Sequence, residues 1–177
     1  SDQSGGGIFC DDCSASIKDN EILSNEAVSG SGIYIFSNSN PIVDNNIISY
    51  NFGGISGGIH SEYSSSIITN NTITYNSSGA PFASYSGAGI VCYGGIESIE
   101  NNTIKHNTNN SASGAGGIGC FDGSLTNINN NIITNNTGLL NSGGGIEIVD
   151  CETIITNNLI SNNVGSEYSG GGLSLIR

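Results

Sequence analysis

Ile68-Thr-Asn-Asn71-Thr-Ile73-Thr-Tyr-Asn76 is the stretch whose reading decides the fold, because each of its two isoleucines is followed three residues later by an asparagine. The same string returns as Ile17, Asn20, Ile22, Asn25, then as Val43, Asn46, Ile48, Asn51, and then as Ile99, Asn102, Ile104, Asn107. It closes as Ile128, Asn131, Ile133, Asn136 and as Ile155, Asn158, Ile160, Asn163. Between copies a glycine-rich approach leads to one more apolar residue, giving Ile8, Ile33, Ile59, Ile90, Ile118, Ile146 and Leu173. Self-similarity at a period of about 27 residues is the mark of a solenoid or an array.

Within a copy the apolar residues never fall at i, i+3, i+4, i+7, so a buried helical stripe is excluded. Ile and Thr favour strands, Asn and Gly favour turns, and strong helix formers are scarce. The spacing predicts an all-β chain with three strands of roughly four residues and three bends per rung, about six to seven rungs of a parallel β-helix. Equivalent residues then stack about 4.8 Å apart. The inward walls are the Ile8 column, the two Ile columns of the Asn motif, and the column Cys10, Ile35, Ser61, Cys92, Cys120, Ile148, Leu175. One rung buries three or four such side chains at about 1.5–3 kcal/mol each, too little to order its own backbone, so contacts between rungs must supply the stability. An Asn repeated at the same bend, in the column Asn20, Asn46, Asn71, Asn102, Asn131, Asn158, tolerates left-handed backbone and passes amide hydrogen bonds from rung to rung.

On these residues the chain resembles the right-handed parallel β-helix repeat superfamily, the pectate-lyase-like proteins, over roughly residues 5–177. Its Gly-Gly-Gly-Ile and Ile-x-x-Asn strings also resemble the Gly-Gly-Ala-Ile and Phe-x-x-Asn repeats of surface adhesins. The second likeness is looser, since Ile stands for Phe and a third glycine stands for Ala.

The repeats fill residues 1–177 as one domain, with no linker and no polar cap expected at either end. Fifteen acidic residues face only Lys18, Lys105 and Arg177, a net charge of −12 that disfavours nucleic acid and anionic membrane surfaces. No apolar stretch is long enough to insert in a membrane, and no leader is read at the start. Abundant Asn, Ser, Thr and Gly with few Lys give the chain the look of extracellular β-solenoids. Five cysteines leave at least one unpaired. Cys92 and Cys120 share a column on adjacent rungs, so a disulfide or a pair of buried thiols is expected there. Cys10-Asp-Asp-Cys13 is a lone C-x-x-C without a second half.

Candidate chemistry is sparse. A polysaccharide lyase wants a Ca²⁺-binding acidic cluster and a basic residue beside the uronate, and a polygalacturonase-like hydrolase wants converging aspartates. The signatures of the latter family are missing, and Lys105 lies next to His106 with no acidic trio in register. Asp122 and Asp150 stand four residues past the Gly-Ile position on neighbouring rungs, with Glu147 and Glu152 nearby, a candidate Ca²⁺ site or a pair of solvated carboxylates. No other cofactor is expected. His60 and His106 are expected on the surface. Of the Asn-x-Ser/Thr sequons, Asn109 in a loop is the best glycosylation candidate, and Asn76 is an inward ladder residue. The column containing Phe36, Tyr93, Phe121 and Val149 should face outward as a partner or sugar face, unless the strand bends or a loop covers it. The longest connection runs from Ser77 to Ser86 and contains Pro81, Phe82 and Tyr85. The function expected is a secreted, noncatalytic structural or adhesive surface module whose copies stack end to end into a filament. The alternative is a carbohydrate-binding or carbohydrate-cleaving β-helix using the outer face around Tyr93, Phe121, Asp122 and Asp150.

Overall fold

The computed structural model describes residues 4–80 and 85–177; Pro81 and Phe82 lie outside the described residues. All strand pairing is parallel and joins each strand to the equivalent strand one rung away. The first sheet has seven strands, Ile8–Asp11, Ile33–Phe36, Ile59–Glu62, Ile90–Tyr93, Ile118–Phe121, Ile146–Val149 and Leu173–Ile176. The second and third sheets have six each, represented in one rung by Ile67–Thr69 and Thr72–Thr74, the two halves of the Asn motif. The three expected sheets are joined by a fourth, because the residues after the second Asn also pair: Ser77–Ser78 is one of five two-residue strands there. The result is a parallel β-solenoid of about six turns.

The vertical register follows the columns of the sequence. Ile33 pairs with Ile8 and Ile59, and Ile90 with Ile59 and Ile118. Ile33, Ile59, Ile90 and Ile118, with Val43, Ile48, Ile68, Ile73, Ile99, Ile104, Ile128 and Ile133, form one continuous apolar core and are fully buried, and Ile8 packs half-buried at its end. Each removes roughly 1.5–3 kcal/mol worth of apolar surface from water. β-Branched isoleucine suits both demands, since it favours extended backbone and fills a narrow interior without rotamer freedom to lose.

Two asparagine ladders run through this core. Along the first, Asn46 Nδ2 donates to Asn71 Oδ1 at 3.0 Å, Asn71 to Asn102 at 3.0 Å and Asn102 to Asn131 at 3.1 Å. Each Oδ1 also accepts the backbone N–H of the preceding rung's Asn, as Asn102 Oδ1 does from Asn71 N at 2.8 Å. Each Nδ2 further donates to a carbonyl of the preceding rung, Ile68 O in the case of Asn102, at 2.8 Å. The second ladder repeats the scheme through Asn51, Asn76, Asn107 and Asn136. One amide thus satisfies backbone groups that the corner would otherwise bury unpaired.

The left-handed backbone does not sit at the ladder asparagines, as the sequence suggested, but one residue earlier. Asn70, Asn101 and Asn130 precede the first ladder at φ 57°, 59° and 55°, and Tyr50, Tyr75 and His106 precede the second at φ 57°, 55° and 56°. The turn residue points its side chain outward, and the Asn that follows is thereby aimed inward. Glycine is required for closeness elsewhere. A Cβ on Gly117 would sit 2.3 Å from the Gly145 carbonyl one rung away, and one on Gly30, itself at φ 57°, would meet the Tyr34 Cβ at 2.5 Å.

Replacing Asn102 by Ala strands the Ile68 carbonyl and the Asn71 N–H inside the core, at about 1–3 kcal/mol each. Asn102→Ala is expected to lose at least about 3 kcal/mol in urea unfolding, and Asn20→Ala, at an exposed position, about 1 kcal/mol or less. Equal losses at the two positions would show that the ladder is not the stabilising element.

Candidate functional site

The first sheet carries its distinctive chemistry on the side away from the core. Alternation turns Phe9, Tyr34, His60, Val91, Gly119 and Glu147 outward, one residue after the core isoleucines. Yet Tyr34, His60, Val91 and Glu147 are buried. The glycine-rich approaches fold back over them, Gly30 against Tyr34, Gly87 against Val91 and Gly143 against Glu147. The segment before Gly-Ile is therefore a second layer over this face.

That layer corrects the expected sugar face. Phe121 is fully buried: its ring lies over Gly119, where a Cβ would touch it at 2.5 Å, and Tyr85 packs on it at a centroid distance of 5.3 Å. Phe36, Tyr93 and Val149 are half-buried. Tyr93 sits between Tyr63, edge-on at 5.4 Å, and Tyr85 at 5.2 Å. Tyr63 and Tyr85 are the exposed rings, 48% and 41% accessible, and the Tyr63 hydroxyl donates to Asp122 Oδ2 at 3.4 Å. Burial, with the hydrogen bond to Tyr63 behind it, pushes the Tyr93 hydroxyl up to about 12.

A small pocket of about 130 Å³ opens beside these rings, lined by Ser29, Ile55, His60, Glu62, Tyr85 and Tyr93. His60, expected on the surface, is only 5% accessible and packs on Tyr34 with tilted rings at 5.1 Å. The Tyr34 hydroxyl donates to Glu62 Oε2, and His60 Nε2 lies 3.9 Å from the same oxygen. Burial, then the carboxylate it serves, raises the Tyr34 hydroxyl well above its ordinary range, and burial alone pushes His60 down to about 4, so its imidazole is neutral.

The other expected sites fare differently. Asp122 and Asp150 are both exposed at left-handed corners, φ 55° and 51°. Glu147 is not beside them but buried under the covering layer, where its carboxylate accepts from Gly143 N–H. The described residues hold no group of three or more metal-ligating side chains, and two carboxylates supply few of the six to eight or so oxygens that Ca²⁺ takes. Asn109 is fully buried, its Oδ1 accepting from the Ser78 and Ser86 hydroxyls and the Ser111 N–H, so it cannot present itself for glycosylation. It plugs the corner that the smaller Ala27, Gly53, Ser78 and Gly138 occupy on other rungs. The exposed sequon residues are Asn70, Asn101 and Asn135, all at left-handed turns. Cys92 and Cys120 remain thiols, stacked in register in the core, while the disulfide joins Cys10 to Cys13 across the turn that closes the first strand, Cα atoms 5.7 Å apart. The Cys92 thiol is raised well above its usual value, by its hydrogen bond with Cys120 first and burial second.

Sequence reading passed over Glu97, a carboxyl inside the solenoid. Ser61 Oγ donates to its Oε1 at 3.1 Å and Thr126 Oγ1 to its Oε2 at 3.2 Å. Burial nevertheless lifts it to about 7, as it lifts Glu147 to about 7. Its position directly before a strand residue and two ahead of the core Ile99 was the available signal.

Carboxyls whose folded pKa is raised destabilise the fold once ionised, so their contribution improves as pH falls from about 7 towards the unfolded value near 4.5. Neutral buried His60 works the other way, losing stability as pH falls from 6.5 towards 4. Two groups oppose one. Thermal stability is expected to rise from pH 8 to a maximum near pH 5, at about 2–4 °C per kcal/mol for a chain of this size. Glu97→Gln, which cannot ionise, is expected to flatten the alkaline limb, and an unchanged slope would show that Glu97 is ionised in the fold.

The chain was compared with known proteins on this footing. No curated protein and no solved structure matches it. A family profile described as the right handed beta helix region matches residues 6–176, nearly the whole length. The stacked columns, the parallel sheets and this match agree, and the chain belongs to the right-handed β-helix family.

Proposed function

We propose that this β-helix is an adhesive module of a secreted or cell-surface protein that holds carbohydrate along the outer face of its first sheet without cleaving it. The observation that carries the reading is the meeting of aromatic rings with carboxylates on one ridge: exposed Tyr63 and Tyr85 and half-buried Tyr93 beside Glu62 and Asp122. Aromatic faces offer apolar area to the C–H faces of sugar rings, and carboxylates accept from sugar hydroxyls. The acidic chain suits neutral or cationic glycans better than acidic ones. Extracellular residence is supported by the Cys10–Cys13 disulfide, a bond that persists in oxidising compartments. Binding without cleavage is supported by the engagement of the acid–base groups in internal contacts, Glu62 with Tyr34 and His60 under the covering layer. No cofactor enters this reading.

A second element is self-association through the ends of the coil. The strand Leu173–Ile176 presents Leu175 at 69% accessibility beside Ile148, Cys151 and Ile155, around an open cavity of about 810 Å³. A further rung, of the same polypeptide or of a second copy, would cover these side chains and continue the ladders. A head-to-tail contact of this kind builds a filament when it does not close.

Glycan-array screening followed by calorimetry tests the reading. Tyr63→Ala and Tyr93→Ala are each expected to weaken oligosaccharide binding about 3- to 10-fold, the worth of one stacked ring. Release of reducing or unsaturated sugar ends, with or without Ca²⁺, would replace this reading with an enzymatic one, and unchanged binding in both variants would remove the face. Sedimentation of the chain should show concentration-dependent growth that Leu175→Glu abolishes; a monomer at high concentration would end the stacking element.

A further inference from the structure

The pocket beside Tyr93 has features that a neutral sugar does not use. Its walls are the rings of Tyr85, Tyr93 and His60, its one charged group is the Glu62 carboxylate, and Ser29 and Ile55 close it. His60, nine-tenths and more buried, has a ring nitrogen, Nδ1, with no hydrogen-bond partner among the described residues. The Glu62 carboxylate lies on the Nε2 side, 3.9 Å away, which favours the tautomer with hydrogen on Nε2 and leaves Nδ1 as a lone pair. His60 Nδ1 is shut off from solvent, so the pocket offers a ligand the anionic oxygen of Glu62 and several π faces, which together ask for a compact cation that brings its own N–H donors. Neutral His60 offers no competing charge, and the chain around it is strongly acidic.

Resting on the carbohydrate reading above, we propose that this pocket receives a primary ammonium group, the charged 2-amino group of a hexosamine in a de-N-acetylated glycan. The ammonium pairs with Glu62 and lies against the Tyr85 and Tyr93 rings. The pocket, about 130 Å³, takes the ammonium and its nearest carbons while the rest of the sugar extends over Tyr63. An acetamido group in the same place would bring a methyl and a carbonyl oxygen to a carboxylate, and a plain hydroxyl would bring no charge to meet it.

Calorimetry with a glucosamine hexamer, its fully N-acetylated counterpart, a neutral glucose hexamer and n-butylammonium decides between the outcomes. The glucosamine hexamer is expected to bind at least tenfold more tightly than either other hexamer, with n-butylammonium competing for its site. Glu62→Gln keeps the shape and is expected to erase the preference, while a melting curve matching the parent chain verifies its fold. His60→Gln should reduce the preference in part. Equal binding of all three hexamers would overturn the ammonium pocket and leave the carbohydrate reading standing. An n-butylammonium complex without any sugar binding would do the reverse. Retention of the full preference in Glu62→Gln would assign it to the general negative charge of the chain, of which that substitution removes one part in fifteen, and would also overturn the pocket.

Discussion

Parallel strands held in register by buried amides give each ladder amide and each core isoleucine the same two neighbours, the residues at the same position one rung above and below. Asn71 touches Asn46 and Asn102, and Ile73 pairs with Ile48 and Ile104, so a substitution is judged by its column before anything else. The amide suits this role because it donates and accepts along one line, and its second proton reaches the carbonyl that the corner has turned away from the sheet. Shorter or apolar side chains there would leave an N–H and a carbonyl without a partner at each ladder position. The solenoid can therefore be slender, drawing its cohesion from neighbours along one axis instead of from a wide centre.

Such an interior is uniform by necessity, and individuality is pushed outward. The left-handed corners show this plainly. Tyr50, Tyr75 and His106 occupy the residue before the second ladder on three successive rungs and stack their rings at 5.1 and 4.9 Å, nearly parallel. The backbone geometry is common to every rung, whereas the ring is a local choice. On the first sheet the same freedom produces Tyr34, His60 and Glu147 under a covering layer, and a pocket where that layer does not close fully.

Columns were legible in the sequence because the spacing from each Ile to its Asn never varies, and inward position follows from that spacing alone. What escaped is what depends on the layer outside the sheet, which has no period. Phe121 alternates outward and yet is buried, since Gly119 leaves a hollow for its ring and Tyr85, contributed by a long connection, covers it. Asn109 and His60 look like surface residues in a string of polar neighbours, but each lies beneath a connection whose path the repeat does not dictate. The cysteines were legible in part. Sharing a column brings Cys92 and Cys120 together, but the structure pairs them as thiols, and the bend after Cys10 brings a closer partner within reach. Glu97 was overlooked because its column continues as Thr126 and Thr153, polar residues outside the Ile and Asn spacing that made the other columns readable.

Rungs differ in length, with ladder neighbours separated by 25 residues in one case and 31 in another, although every strand keeps its register. The difference is absorbed almost wholly where the chain passes from the second Asn to the next Gly-Ile, as a comparison of Asn51 to Ile59 with Asn76 to Ile90 makes plain. That corner is a tolerated splice point. Changes of length there leave the three long sheets and both asparagine ladders in register, and because the same corner roofs the first sheet, each one reshapes that outer layer. The covering of the first sheet can thus vary from rung to rung while the spine stays unchanged.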